Sequence, residues 1–263
     1  MAAKKKSKSG PTVGGVRNPD PKTPENPVPE ASGLTALSVD VVVLRIIGGQ
    51  LSVLLIRRGE KPHRGRWALP GEALETGERL VSAARRAVAV AGGSTGLPNH
   101  LEQLAAFDHP DRYPKRRVLS FAFVALMAGI DESADGLLGE GTRWWPIGDL
   151  EGVDRPELAF DHRSIVDAGV ERVRSKLEYT SLATRCVDEP FTIGDLRQVY
   201  EAVWGFPQPA ANFRRKVLTT PGFVEATGRS AAVSIGRPAE LYVRGDIALL
   251  HPAMLRPSGD RRR

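Results

Sequence analysis

An acid-rich loop is followed directly by a predicted helix that contains no acid. The loop carries Glu72, Glu75 and Glu78, whereas Arg79 to Ala91 contains no Asp or Glu. Three positions of that helix are spaced i, i+3 and i+4, so they share one face. They hold Ala87, Val90 and Ala91. Because a hard cation requires oxygen ligands and metal-assisted hydrolysis requires several of them, the sequence predicts no metal site and no metal-dependent catalysis here.

The same segment resembles the Nudix box, a loop-helix-loop pattern written G-x(5)-E-x(7)-R-E-U-x-E-E-x-G-U. The matching positions are Glu78, Arg86, Val88 and Gly93. Glu72 replaces the opening glycine, although Gly71 stands beside it, and the three apolar helix positions replace the carboxylates of the pattern. The resemblance implies a Nudix fold that is retained without its catalysis. The alternative is an ordinary amphipathic helix with a chance match in the loop, which the strand-like runs around it disfavour.

Two further segments bear arginines and aromatic rings. Arg57-Arg58-Gly59 and Gly65-Arg66-Trp67-Ala68-Leu69-Pro70-Gly71 resemble the equivalent segments of Nudix domains that bind ADP-ribose. Residues 108–118 contain four Lys or Arg within six residues, next to Tyr113. Guanidinium groups suit a diphosphate, whereas on charge alone a solvated hairpin tip is the simpler interpretation.

The stretch 108–118 also resembles the segment R-D-P-R-G-R-V of one Nudix-derived family, with Tyr113 where that family commonly has Asp. Phe160-Asp161-His162 matches a recurring element of the same family, although a lone His162 is more typical of a structural histidine. No catalytic residue is predicted. The candidate ligand-binding residues are Arg58, Trp67, Gly71, Glu78, Arg86, Arg112, Arg117 and His162.

These candidates require a sheet and a helix to position them. Ala36 to Ile47 and Leu51 to Arg57 are rich in β-formers and are separated by the hairpin signal Gly48-Gly49-Gln50. Three more strand-like runs follow, over Leu101–Phe107, Val118–Leu126 and Thr142–Pro146. A helix is predicted from His162 to about Glu178, because its apolar residues recur at helical spacing.

The C-terminal part has the pattern of a winged helix-turn-helix. Thr192 is a predicted N-cap with Asp195 three residues later, and Gly205 ends that helix. A second helix is predicted over Ala210–Leu218, with Phe213 and Val217 on one face and polar or basic residues on the other. Two strand-like runs, Phe223–Ala226 and Glu240–Val243, bracket a loop that carries Arg229, Gly236 and Arg237.

A degenerate Nudix domain followed by this winged helix resembles the NrtR family, the Nudix-related transcriptional regulators of NAD metabolism. The resemblance covers roughly Leu34 to Val243. It implies a homodimeric repressor that senses ADP-ribose or a related NAD metabolite as its effector and requires no cofactor. Related regulators of this architecture sense sugar compounds, so the ligand class stays open.

The predicted DNA contacts divide into two kinds. Asn212 and Arg215 are candidates for base edges, because Asn pairs well with adenine and Arg with guanine. Phosphate contacts set the register without reading sequence. For these the candidates are Arg214, Lys216, Arg229 and Arg237, with Thr192 at the start of the helix-turn-helix.

Composition limits the remaining possibilities. The net charge is +6, with basic excess at both ends of the chain, which suits a polyanion partner or simply solubility. One cysteine excludes an intrachain disulfide framework, and the five histidines form no H-x-x-x-H pair. The longest apolar run, Phe121 to Ile130, is about half of a membrane span. We therefore expect a cytoplasmic protein without a membrane partner.

The expected fold class is α+β, a Nudix-like α/β/α sandwich followed by a winged helix-turn-helix. The expected segments are a disordered basic tail (1–33), a ligand-sensing domain (34–161), a linker helix (162–178), a DNA-binding domain (179–256) and a basic tail (257–263). The expected function is a ligand-responsive repressor of NAD metabolism genes that binds a palindromic operator. The alternatives are an active Nudix hydrolase with an accessory winged helix, and a winged helix that binds protein instead of DNA.

Overall fold

The structure, a computed structural model, describes residues 1, 36–92, 98–114, 116–131, 138, 141–153, 155–231 and 238–256. Apart from Met1, the tail expected over 1–33 lies outside the described residues, as do the tail over 257–263 and the wing residue Arg237. Among the helices of the described part, none combines the length and the apolar character that crossing a membrane requires.

The strands of the N-terminal part form one mixed sheet within the described residues. They are β1 (Ala36–Ile47), β2 (Gln50–Arg57), β3 (Trp67–Ala68), β4 (Gly71–Ala73), β5 (His100–Phe107), β6 (Val118–Asp131) and β7 (Thr142–Pro146). The strand order is β3-β2-β1-β6-β5, with β4 paired to β1 and β7 paired to β2. Only β1 and β6 run parallel in the pairs of this sheet. The strands β3 and β4 were not predicted, since two or three residues are too few to show an alternating pattern.

Strand β1 separates two hydrophobic cores because side chains alternate between the faces of a strand. Val39, Val41 and Val43 pack with the buried alanines of helix α1 (Leu80–Gly92). Val42 and Leu44 pack on the opposite face with helix α2 (His162–Tyr179). The sheet therefore lies between two helical layers, as the sandwich requires.

Helix α2 lies very close to the sheet at Gly169. A Cβ atom at this position would lie 2.9 Å from a methyl group of Val42, so a larger residue would push α2 away from β1. Glu102 of β5 holds the C-terminal half of the helix, because its carboxylate accepts hydrogen bonds from Arg172 at 2.9 Å and Lys176 at 2.6 Å.

The winged helix packs against both α2 and the sheet and shares their core. It comprises helix α3 (Ile193–Trp204), helix α4 (Ala210–Thr219), strand β8 (Val224–Ala231) and strand β9 (Ala239–Arg244). The predicted capping box is confirmed: Thr192 accepts from the backbone N–H of Asp195, whose carboxylate accepts from the N–H of Thr192. Short 3-10 helices at Ile147–Leu150 and Ser181–Arg185 were not predicted, because they carry no periodic pattern.

The wing differs from its prediction in one respect. Arg229 was placed in the loop between the wing strands, but it lies on β8, which continues to Ala231. The strand continues past Ala226 because a register shift accommodates residues 227–229, and pairing with β9 resumes at Ser230.

Candidate functional site

A cleft of about 280 Å³ opens where β1, β4, the loop 108–117 and the start of α2 meet. Its lining combines guanidinium groups with aromatic rings. The residues of this kind are Arg58, Arg112, Tyr113, Arg116, Phe160 and His162. The volume lies just below the roughly 300–1,000 Å³ that is typical of small-molecule sites. The cleft thus has the chemistry for an aromatic anion and little free space for one.

A buried ion-pair network forms the floor of the cleft. Asp40, only 7% exposed, accepts hydrogen bonds from Ser120 at 2.5 Å and from Arg112 at 3.3 Å. Arg112 also donates to both carboxylate oxygens of Asp161, at 2.9 and 3.0 Å. Burial lowers the pKa of Arg112, but its hydrogen bonds with Asp161 and the charge of Asp40 raise it overall, so the guanidinium stays charged. The network joins β1, β6, the loop 108–117 and the beginning of α2.

His162 completes this floor as a neutral group. Its Nδ1 accepts the backbone N–H of Leu69 at 2.9 Å, which assigns the ring proton to Nε2. Nε2 faces Asp40 at 3.7 Å. Burial lowers the pKa of His162 more than the Asp40 charge raises it. The histidine therefore links Leu69, which lies between β3 and β4, to the start of α2 by a hydrogen bond.

Aromatic rings stack beside the ion pairs. Tyr113 lies parallel to Phe160, with ring centroids 5.3 Å apart and an interplanar angle of 14°. The guanidinium of Arg58 stands over the same Phe160 ring at 4.8 Å. Phe160 has φ = 54°, a left-handed conformation that costs free energy in a residue other than glycine. A strained residue that presents its ring to a cleft is typical of a binding site.

Arg86 organises the loop that precedes α1. Its guanidinium lies 2.8 Å from Glu72, 2.8 Å from Glu78 and 3.7 Å from Glu75, and it also donates to the carbonyl of Ala73. Hydrogen bonds from Arg86 lower the pKa of Glu78. All the acidic side chains of the loop are thus engaged by one internal cation.

The residues present do not fit the divalent cation that a Nudix fold implies. Ala87 and Ala91 are buried against the sheet, and Val90 is 67% exposed, so the helix face predicted to lack oxygen ligands is partly core and partly apolar surface. The carboxylates of the loop are paired with Arg86. Across the described ranges, no group of three or more His, Cys, Asp or Glu side chains has the arrangement of a metal site.

Helix α4 of the winged helix presents a polar and basic surface. Phe213 and Val217 are buried, as their spacing predicted, and Asn212, Arg215 and Lys216 are exposed on the outer side. Arg214 is directed to the wing instead, where it donates to the hydroxyl of Tyr242 at 3.4 Å. Arg214, Arg229 and Glu240 line a groove of about 640 Å³ between α4 and the wing.

Comparisons with known proteins agree with this architecture. The NUDIX domain family model matches residues 35–168, and the model of the NrtR DNA-binding winged helix domain matches residues 183–243. The chain is 30% identical over 209 residues to an ADPR responsive transcriptional repressor of Acinetobacter baylyi, an alignment that covers 78% of this chain and 80% of the relative.

The chain belongs to the NrtR family. The crystal structure of Shewanella oneidensis NrtR complexed with a 27mer DNA superimposes with a TM-score of 0.66 at 29% identity, covering 79% of this chain and 93% of that one. The fold class expected from the sequence is therefore confirmed. An ADP-ribose pyrophosphatase of Methanocaldococcus jannaschii is 34% identical over 127 residues, which cover 48% of this chain and 70% of the relative.

This NrtR-family protein brings together only some of the predicted ligand-binding residues. Arg58, Gly71, Arg112 and His162 line the cleft. Glu78 and Arg86 are not part of the lining, but Arg86 pairs with Glu78 and with Glu72, and Glu72 lines the cleft. Trp67 packs edge-on against Trp145, and Arg117 donates to the carbonyl of Asp108; neither belongs to the lining.

The sequence interpretation of this NrtR-family chain missed Asp40, Ser120 and Asp161 as site residues. A signal was present for Asp40, since it is the single acid within the β-rich run Ala36–Ile47. A carboxylate in a strand whose neighbours are buried requires partners. Nothing local to the sequence indicated which arginine supplies one.

Proposed function

We propose that this chain is a transcriptional repressor of NAD metabolism genes, whose Nudix-like domain senses ADP-ribose or a related NAD metabolite and whose winged helix binds operator DNA. We expect such a regulator to act in the cytoplasm, where its operator would lie. The NrtR membership and the ADPR responsive repressor among its relatives support the proposal.

The observation that carries the sensor half is the cleft itself. It combines the guanidinium groups of Arg58, Arg112 and Arg116 with the Phe160 and Tyr113 rings, while the adjoining loop and helix offer no free set of carboxylates to a cation. Guanidinium groups bind diphosphates and aromatic rings stack on purines. Such a site retains a nucleoside diphosphate without the metal chemistry that cleaves it.

The DNA-binding half rests on helix α4. Asn212 and Arg215 are exposed and three residues apart on this helix, which supports the proposal that they contact base edges in the major groove. Lys216, on the same helix, and Arg229, on the wing strand β8, are exposed and are proposed to contact phosphates. We propose that the chain binds as a homodimer to a palindrome whose half-sites lie about one helical turn, or a multiple of it, apart.

The two halves are coupled only if the effector distinguishes free from DNA-bound protein. A useful switch requires about 1–3 kcal/mol of coupling free energy. By reciprocity, a DNA duplex must weaken ADP-ribose binding by the same factor by which ADP-ribose weakens DNA binding.

The test uses a duplex selected from a random library by the full chain, followed by a mobility-shift titration with and without ADP-ribose. We expect ADP-ribose to lower duplex affinity, and an equimolar mixture of AMP and ribose 5-phosphate to do so far less. Arg58→Ala should weaken the response without changing duplex affinity in the absence of ligand. If ADP-ribose at millimolar concentration leaves duplex affinity unchanged, the sensor half of the proposal is wrong.

Hydrolysis of ADP-ribose is the second candidate function, and the resemblance to an ADP-ribose pyrophosphatase is the observation in its favour. Ala87, Val90 and Ala91 oppose it, because they leave the helix face without oxygen ligands. We therefore infer that this chain binds without cleaving.

A further inference from the structure

Arg112, the most buried cation of the cleft, already forms an ion pair with a carboxylate of the protein, that of Asp161. Arg112 donates from Nε and from one terminal nitrogen to the two oxygens of Asp161, at 3.0 and 2.9 Å, a two-point pairing of guanidinium and carboxylate. The Arg112 side chain is 4% exposed. An anionic ligand can therefore take over this two-point pairing with Arg112 only by displacing Asp161.

The carboxylate of Asp161 has a second possible set of hydrogen-bond donors, at the start of α2. It is the N-cap residue of α2, and aspartate is among the best N-cap residues because its carboxylate accepts the unpaired N–H groups of the first turn. Here its side chain makes no capping hydrogen bond, and its backbone, with φ −94° and ψ 19°, is outside the extended region that capping residues adopt. Arg112 thus holds the carboxylate away from the helix end that it would otherwise stabilise.

The neighbouring residues repeat the same contact between the loop and the helix. Tyr113, next to Arg112, stacks on Phe160, next to Asp161. Two consecutive residues of the loop therefore contact two consecutive residues at the start of α2. Arg112 and Asp161 form an ion pair, and Tyr113 and Phe160 form a ring stack. Phe160 adopts its left-handed conformation between these two contacts.

Helix α2 carries the winged helix. The hydroxyl of Tyr200 donates to the carbonyl of Leu177 at 3.1 Å, and the indole of Trp204 donates to the carbonyl of Arg174 at 3.3 Å. Glu102 anchors the same half of α2 to the sheet. The second half of α2 is therefore the route by which a displacement of its first turn reaches the winged helix, while α3 also contacts β1 and β2 directly.

We propose that Asp161 is an internal competitor of the effector. Resting on the proposed function, the inference is that a diphosphate entering the cleft takes Arg112, and Asp161 moves to cap α2. The released helix start then reorients the winged helix and lowers DNA affinity. The small cleft volume agrees with this, since the Phe160 ring lines the cleft and Asp161 is paired with the Arg112 guanidinium that the ligand requires.

The test compares Asp161→Asn with wild type in the full chain. Asparagine caps helices as well as aspartate does but carries no charge. We expect ADP-ribose to bind Asp161→Asn about tenfold more tightly, because a charge-assisted pair no longer competes for Arg112. The variant should also bind the selected duplex more weakly without ligand, and ADP-ribose should weaken that binding less than it does in wild type.

Asp167→Asn is the matched control, because Asp167 lies on the same helix, is exposed and pairs with Arg163 four residues away. It should behave as wild type in both titrations. Hydrogen exchange of the wild-type protein provides a measurement that needs no variant. ADP-ribose should slow exchange at the amide of Arg163, whereas the amide of Ser164 already donates to the carbonyl of Asp161 at 3.0 Å.

If wild type responds to ADP-ribose while Asp161→Asn matches it in ligand affinity, duplex affinity and response, the competitor role is wrong and the proposed function stands. Unchanged exchange at the amide of Arg163 in the ligand-bound protein also contradicts it. If wild type does not bind ADP-ribose at all, the proposed function fails and this inference with it.

Discussion

A Cβ atom on Gly71 would lie 2.3 Å from Oδ1 of Asp40, because the two residues are direct partners in the pairing of β4 with β1. The glycine of the Nudix-like loop is therefore required by a buried carboxylate that binds Arg112. In a chain whose loop and helix do not fit a cation, this position keeps a structural reason to remain small.

Gly71→Ala should destabilise the protein by about 1–3 kcal/mol, since the added methyl group must push Asp40 or the backbone of Val39 aside. It should also weaken ADP-ribose binding, because Asp40 orients Arg112. Urea unfolding and calorimetric titration measure the two effects. Gly59→Ala is the control: a Cβ atom there meets no atom of the described residues within 4 Å, so we expect a change within about 0.5 kcal/mol. Equal effects of both substitutions would contradict the proposed packing role.

The free energy of unfolding should depend on pH through His162. Burial lowers its folded pKa below the 6.5 of an exposed histidine, so the unfolded chain takes up the proton first as the pH falls. The stability that the neutral ring contributes is complete above pH 6.5 and is lost as the pH falls from 6.5 through the folded pKa.

His162→Gln should remove this dependence and lower stability at pH 8 by about 1–3 kcal/mol, because the N–H of Leu69 loses its acceptor. Denaturant unfolding at a series of pH values between 5 and 8 measures both effects. The exposed His251 provides a control, since His251→Gln should retain the wild-type slope. A wild-type slope in His162→Gln would assign the proton uptake to another group.

Substitutions on α4 should separate base reading from phosphate binding. Arg215→Ala should relax discrimination at one base position by about 1–3 kcal/mol. Lys216→Ala should weaken binding to every duplex alike and reduce the salt slope by about one unit. Fluorescence anisotropy over a panel of duplex variants at several salt concentrations measures both. Arg85→Ala, which removes an exposed cation from α1, should change neither. Retention of affinity and sequence preference by Arg215→Ala would show that α4 does not read the operator through this residue.

The protein should not release AMP from ADP-ribose in the presence of Mg²⁺ or Mn²⁺. The reason is the helix face of Ala87, Val90 and Ala91, which offers no oxygen ligand. Chromatography of the reaction mixture, with an active ADP-ribose pyrophosphatase assayed alongside, measures this directly. AMP release that both EDTA and Glu78→Ala abolish would overturn the expectation.

Short-range sequence patterns predicted most of the helices and strands. The ends of β1 and β7 and the start of α2 were predicted to the residue, and the capping box at Thr192 was recognised from two side chains. The two faces of α4 followed from the spacing of Phe213 and Val217. These features depend on residues within a turn or a strand of each other, which a sequence displays directly.

The sequence by itself thus determined the two-part architecture, the buried and polar faces of α4 and the absence of carboxylates from α1. Only the tertiary structure decided the state of Arg112, which the basic loop had suggested to be an available phosphate ligand. Its partners Asp161 and Asp40 lie 49 and 72 residues away in the chain. The periodicity of a segment specifies which face is buried, but the pairing of distant charges depends on how strands register and helices dock. Because α2 starts beside the loop that carries Arg112, an arginine predicted to bind the ligand became the buried link between the cleft and the start of α2.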